Sequence, residues 1–339
     1  MYSINFKLER CIVFIIVIVF LATALFLTYN LWNPGKKIID GSHDLKSNGI
    51  WLQHGWIGDN EWFRRNNKEK LIPSFRNIQH IRELASMLKK HHIKDVFPHL
   101  CPTWPDGTIQ AIDEQQTMLF LKEFSEFRVI PWVGGVAGVQ VFIENQKWRE
   151  TFVRSVCALL NTYPQLAGIH LNIEPCRSGN KTFLLLLQQI RRALPDGKLL
   201  SVAAYPPPTL WHPFPDVHWD KEYFIEVSKS TDQVVVMMYD TALHFGKVYQ
   251  YIMASWTKEV LLWSKKASVL LGVPTYDDEG VGYHTPKVEN IDNALLGIHA
   301  GLASFKSLPA SYKGVALYCE WEMDLSEWCY FRENFLSVQ

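Results

Sequence analysis

Residues Gly168-Ile169-His170-Leu171-Asn172-Ile173-Glu174 put three polar side chains at every second position of an apolar run that stops at Pro175. Alternate residues of an extended chain share a face, so His170, Asn172 and Glu174 form one column, with roughly 6.6 Å of rise between Asn172 and Glu174. Polar groups on the inward face of a buried strand cost stability unless they are paired or used. A carboxyl closing such a strand is placed for proton transfer, because burial and a neighbouring carboxylate raise its pKa toward the working range of a general acid. Further acids and aromatics follow later apolar runs: Tyr239-Asp240, Asp277-Asp278-Glu279 and Glu320-Trp321-Glu322. Asp277-Asp278-Glu279 reads most simply as a solvated loop, since three adjacent acids seldom make a cation site unaided.

The elements that must position these groups alternate. Strand-like runs lie at 49–57, 95–100, 128–133, 167–174, 199–205, 233–239, 268–273 and 314–318. Helical patterns lie at 77–92, 113–127, 145–163, 182–194, 219–229, 246–265, 289–307 and 325–337. Strands alternating with helices make a parallel sheet covered by helices, and eight units in this length predict a (β/α)8 TIM barrel. In such barrels the reactive residues collect at the carboxyl ends of the strands, where Glu174, Asp240, Glu320 and Glu322 all fall. No G-x-G-x-x-G or G-x-x-x-x-G-K-[ST] motif occurs, so no nucleotide site is implied.

Ahead of the barrel, Lys7 and Arg10 precede an uncharged apolar run from Cys11 to Leu31, the length of a membrane-crossing helix. The expected organisation is a cytoplasmic segment (1–10), a signal-anchor helix (11–31), a polar linker (32–47) and the barrel (48–339). Ala22-Thr23-Ala24 offers a small-x-small cleavage site, but the apolar run continues past it through Leu27, which favours an uncleaved anchor. The short leading segment places the barrel on the extracytoplasmic side. Lys+Arg and Asp+Glu both number 34, so no basic excess draws the chain to nucleic acid. Thirteen Trp, 13 Tyr and 19 Phe provide faces on which sugar rings could stack, Trp132 and Trp321 being the candidates nearest the strand ends. Trp56, Trp104 and Trp211 fall in the expected rim loops. Beyond Cys11 the cysteines number an odd five without C-x-x-C spacing, which indicates neither a disulfide framework nor a zinc site.

Three of these strands resemble glycoside hydrolase family 18, the chitinase-like barrels. Trp132-Val133-Gly134-Gly135 is similar to its S-x-G-G turn, Ala167 to Glu174 to its D-G-x-D-x-D-x-E strand, and Met237-Met238-Tyr239-Asp240 to its M-x-Y-D. The resemblance assigns Glu174 as the acid that protonates the leaving oxygen. It puts Asn172 where the family has the aspartate that holds the substrate's N-acetyl group, the nucleophile. It also implies that Tyr239 and Asp240 contact substrate, and it puts the sugar-stacking residue of the last strand near Tyr318. The three family aspartates are replaced by Ala167, His170 and Asn172. The Asn-x-Glu pair is similar to that of endo-acting family 85 glycosidases, and the Asn172 carbonyl oxygen could accept from an acetamido N–H.

The expected activity is hydrolysis of a polysaccharide or oligosaccharide containing N-acetylhexosamine. Its catalytic residues would be Glu174, Asn172 and Asp240. Tyr239, His170, Trp132, Tyr318, Trp321, Glu320 and Glu322 are the candidate substrate contacts, with His170 equally readable as a core residue. This chemistry needs no metal and no organic cofactor. Two other readings stay open. One is a non-catalytic glycan-binding barrel. The other is a retaining glycosidase whose second carboxylate is Glu320 or Glu322, set about 5–5.5 Å from the first.

Overall fold

A computed structural model describes residues 2–278, 280 and 282–337, with side chains from Ile12 onward; Glu279 lies outside the described residues. The first element is an unbroken helix, α1 (Tyr2–Leu31). Its stretch Ile12–Leu31 has a mean hydropathy of 2.8 and is not buried against the rest of the chain. Twenty residues at 1.5 Å each cover about 30 Å, the thickness of a bilayer's hydrocarbon core.

Eight parallel strands follow: β1 (Asn48–Leu52), β2 (Ile93–Pro98), β3 (Arg128–Val129 continuing as Trp132–Val136), β4 (Gly168–Glu174), β5 (Leu199–Ala204), β6 (Gln233–Val236), β7 (Ser268–Pro274) and β8 (Tyr312–Tyr318). The two halves of β3 sit at opposite ends of the hydrogen-bonded order, the first on β2 and the second on β4. They are one strand interrupted by Ile130-Pro131, where proline removes a donor. His99 bridges to Trp132, and Leu100 N–H donates to the Trp132 carbonyl at 2.8 Å, so the sheet closes into a barrel. The apolar run expected at 49–57 divides, because the Gln53 side chain accepts from His54 N–H and starts a 3-10 turn, His54–Ile57.

Eight helices cover the barrel: α2 (Ile78–Lys90), α3 (Glu114–Glu123), α4 (Gln146–Thr162), α5 (Lys181–Ala193), α6 (Lys221–Ser230), α7 (Gly246–Trp263), α8 (Ile291–Leu302) and α9 (Leu325–Asn334). All but α7 begin on an Asn or Asp whose side chain accepts a hydrogen bond from the first turn, satisfying donors that have no partner inside the helix. Asn180, the first residue of an Asn-x-Thr sequon, is one of these caps. Ahead of α7 stands Phe245, which makes no such bond.

The alternation read from β4 is realised. Ile169, Leu171 and Ile173 pack outward with the covering helices, while His170, Asn172 and Glu174 point inward. The barrel interior is apolar around Trp51, Phe97, Val235 and Leu270, with one polar chain crossing it. His170 Nδ1 meets Ser201 Oγ at 2.8 Å, Ser201 donates to Gln233, Gln233 donates to Asp95, and Asp95 pairs with both sides of the Arg128 guanidinium. Each member is bonded to the next, which is what allows a polar chain in a buried interior, although His170 Nε2 has no partner among the described residues. Cys101, Cys176 and Cys319 are buried small side chains, and no disulfide forms among the described residues.

Candidate active site

Glu174 ends β4 at the barrel mouth and borders two cavities, of about 570 and 690 Å3, both within the usual size of ligand sites. Its Oε1 accepts from Asn172 Nδ2 at 2.6 Å, and its Oε2 accepts from Tyr205 OH at 3.2 Å. Burial pushes its pKa above the usual carboxylate range; the two hydrogen bonds oppose that rise and the charge of Asp240 adds to it. The result is a carboxyl held in place by two donors and disposed to keep its proton. With its amide N–H committed to Glu174, Asn172 keeps a buried Oδ1 with no partner among the described residues. That oxygen is an unpartnered acceptor beside the carboxyl.

The turn of β3 sets how closely Asn172 can be approached. Gly134 and Gly135 have φ of +127° and +138°, and a Cβ on Gly134 would lie 1.9 Å from the Asn172 carbonyl oxygen. The pair therefore lets two backbones touch in a conformation open only to glycine.

The first cavity is lined by Tyr205, Phe214, Met237, Tyr239, Asp240 and Tyr283, among others. Asp240 sits just past β6 in the left-handed region, φ +62°, and accepts from Tyr276 OH. Its Oδ1 lies 3.4 Å from His284 Nδ1, and Glu289 Oε2 lies 3.8 Å from the same nitrogen. Burial opposes a charge on His284, but Asp240 and Glu289 raise its pKa above the ordinary histidine value. Burial also brings Glu289 up to about 7. His284 Nε2 faces the Tyr276 carbonyl at 3.1 Å, so Nδ1 is the atom turned to the two acids. The donor atoms of Asp240, His284 and Glu289 lie within 4.8 Å of one another. This is the one group among the described residues whose spacing could hold a divalent ion.

The second cavity carries Asn172, His54, His99, Trp132, Trp321 and Glu322. Trp132 lies against His99 with ring centres 3.8 Å apart. Tyr318 stacks on Tyr239 at 5.2 Å and meets Trp321 edge-on at 5.9 Å, an aromatic floor between the cavities. Glu322 accepts from Asp277 N–H. Glu320 belongs to a different environment: its Oε2 accepts from Trp56 Nε1 and Gln53 N–H, and burial raises its pKa to about 7. His170 does not reach the mouth; it is fully buried between Phe97 and Trp51 and bonded to Ser201.

Of the residues named from the sequence, Glu174, Asn172, Tyr239, Asp240, Trp132, Trp321 and Glu322 line these cavities, whereas His170, Tyr318 and Glu320 do not. The sequence reading missed Tyr205, His284 and Glu289. Tyr205 follows the carboxyl end of β5, a position that could have flagged it. His284 comes from the long loop after β7, where no periodic pattern gives direction, and Glu289, read as the start of a helix, lies in that loop because the helix begins at Ile291. Of the rim tryptophans, Trp104 lies under the Arg65 guanidinium at 3.6 Å and Trp211 is exposed.

A closed (β/α)8 barrel with a buried carboxyl at the end of its fourth strand defines a glycosidase-type frame. The family model of the glycosyl hydrolases family 18 matches residues 61–300, and the chain belongs to that family. Among solved structures, the spore cortex-lytic enzyme SleL of Bacillus cereus superposes with a TM-score of 0.54 at 12% identity, over 85% of this chain and 74% of that one. A chitinase of Chromobacterium violaceum gives 0.54 at 14% identity, over 86% and 99%. A chitinase of Bacteroides thetaiotaomicron gives 0.53 at 14%, over 87% and 96%. Likeness at these identities is one of fold. No curated protein sequence matches the chain.

Proposed function

We propose that the chain is a membrane-anchored glycoside hydrolase acting outside the cytoplasm on a glycan that contains N-acetylhexosamine. The observation that carries this is the Asn172–Glu174 pair: a carboxyl at the mouth of the barrel bonded to an amide, whose buried oxygen has no partner among the described residues. In the substrate-assisted route the acetamido oxygen attacks the anomeric carbon while the bond to the leaving oxygen breaks. Glu174 gives its proton to that oxygen. Asn172 Oδ1 accepts from the acetamido N–H and so aims the nucleophile. Water then opens the cyclic intermediate, losing its proton to the Glu174 carboxylate. Tyr205 keeps Glu174 in line, and Asp240 and Tyr239 flank the ring in the first cavity. Trp321 and Trp132, on the wall of the second cavity, give sugar faces something to stack on, and Tyr318 backs Trp321 from behind.

The test compares wild type with Glu174→Gln on acetylated oligosaccharides. Loss of a general acid costs about 10²–10⁴-fold in kcat, and equal turnover by the two proteins would remove the assignment. One observation favours a second reading, a glycan-binding barrel without catalysis: an amide stands where the family places its aspartate. Binding without cleavage, unchanged by Glu174→Gln, is the outcome that selects it. In the two-carboxylate reading the second acid is Glu322, which shares a cavity with Glu174, since Glu320 is held by Trp56 and Gln53.

A further inference from the structure

α1 does not hang from the barrel on a free tether. Its last turn is docked: Lys247 Nζ donates to the carbonyls of Tyr29 at 3.0 Å and Asn30 at 2.8 Å, so a cation caps the negative end of the helix. Tyr29 meets Phe245 at 6.0 Å and Trp32 meets Tyr251 at 5.6 Å between ring centres. The chain then runs down the outside of the barrel. Lys36 N–H bonds to the Leu296 carbonyl, His43 reaches His299, and Tyr312 OH donates to the His43 carbonyl.

This path fixes an orientation. Each helix of a (β/α)8 barrel starts at the mouth and ends at the floor. Phe245, Lys247 and Tyr251 belong to the start of α7, whereas His299 ends α8 and Tyr312 begins β8. Residues 32–44 therefore descend from mouth to floor, and α1 leaves the barrel at its mouth. The aromatic cluster of Tyr29, Trp32, Phe245 and Tyr251 closes the apolar span at that level, as aromatic belts do at a membrane interface.

The rim beside this junction is unusually apolar. Leu210, Trp211 and Phe214, in the loop after β5, are 95, 54 and 57% exposed, and Phe245 is 59% exposed. Phe245 holds the cap position that Asn or Asp fills on the other seven barrel helices. Phe214 and Ala242 line the first cavity together, so the β5 loop and the segment leading to α7 border the same opening. Exposed large apolar side chains gathered on one face mark an interaction site.

We infer that the barrel mouth faces the bilayer in which α1 is embedded, with Leu210, Trp211, Phe214 and Phe245 seated in the headgroup boundary. The inference rests on reading α1 as an anchor, and its test separates the two. Nitroxide labels are placed on the full-length chain in phosphatidylcholine–phosphatidylglycerol vesicles, in a Cys11→Ser, Cys157→Ser, Cys329→Ser background. The labelled positions are Phe20→Cys in α1, Trp211→Cys and Phe245→Cys on the rim, and Ser307→Cys on the floor loop between α8 and β8. Relaxation by dissolved oxygen against a water-soluble nickel chelate reads depth. The expected result puts 211 and 245 roughly 5–10 Å into the headgroup and acyl boundary, 20 deeper, and 307 in water. If 20 is in lipid while 211 and 245 are as open to nickel as 307, the orientation is wrong and the anchor stands. If 20 is also in water, both are wrong.

Discussion

Burial is the main influence on the proton of Glu174, and the contact with Asn172 works against it. The amide N–H, 2.6 Å from Oε1, favours the ionised carboxylate, while burial and Asp240 favour the neutral acid. Asn172→Asp restores the residue type of the family motif and reverses the influence of the amide. The donor is lost and a second carboxyl stands within hydrogen-bonding distance, so the pair holds one proton to higher pH than Glu174 alone. General-acid activity is lost as pH rises through the pKa of the acid. In Asn172→Asp the basic limb of the kcat/KM profile therefore moves to higher pH, by about one unit or more for like charges at this range. A limb that stays in place would mean that Glu174 is not the titrating acid. Glu174 itself was legible in the sequence because period-two alternation and the following proline give both its face and its place at a strand end. Tyr205 was less so: a tyrosine closing an apolar strand looks the same whether it packs or bonds, and only the register of β5 on β4, which sets Gly168 against Leu199, brings its hydroxyl beside Glu174.

The strands carry these side chains only because neighbouring backbones fit. Gly134 touches Asn172 so closely that any Cβ meets its carbonyl oxygen, and the φ of +127° is itself closed to other residues. Gly134→Ala should push β3 away from β4 at the level of Asn172 and lower unfolding free energy by about 1–3 kcal/mol. The check is a thermal or denaturant melt alongside activity per folded molecule. A variant with wild-type stability and full activity would show that β3 does not set the position of Asn172. The Gly-Gly pair was visible in the sequence as a turn, but its closeness to β4 is a property of pairing register, which periodicity does not report. The same holds for the polar chain inside the barrel: His170 was readable as an inward residue, whereas its link through Ser201 and Gln233 to Asp95 spans strands far apart in sequence. The alternation of strands and helices was legible throughout, since each helix has a buried stripe and each strand an apolar run. The exceptions are local. β1 ends early at Gln53, and β6 ends at Val236, three residues before the expected Tyr239.

At the scale of the molecule, α1 and the segment after it are packed onto the barrel from its mouth to its floor. The sequence gives α1 by length and hydropathy but says nothing of where its end lands, because residues 32–47 read as an ordinary polar linker. Their packing from Trp32 to Asp44 turns a tether into a bracket. In the inferred orientation, a mouth held against the bilayer by its apolar rim would meet glycans carried on lipid before glycans in bulk water. Leu210 and Trp211 are exposed and stand outside both cavity walls, so changing them leaves the bonds to Glu174 untouched. The double variant Leu210→Ser, Trp211→Ser should cleave a free acetylated oligosaccharide at the wild-type rate. Against the same oligosaccharide attached to a lipid in vesicles, its rate should fall about tenfold, equivalent to ~1.4 kcal/mol of lost rim insertion. Assaying both substrates on the full-length protein in the same vesicles makes each the control for the other. An equal loss on both would place the defect in the barrel itself, and no loss on either would show that the rim has no part in presenting the mouth to the membrane.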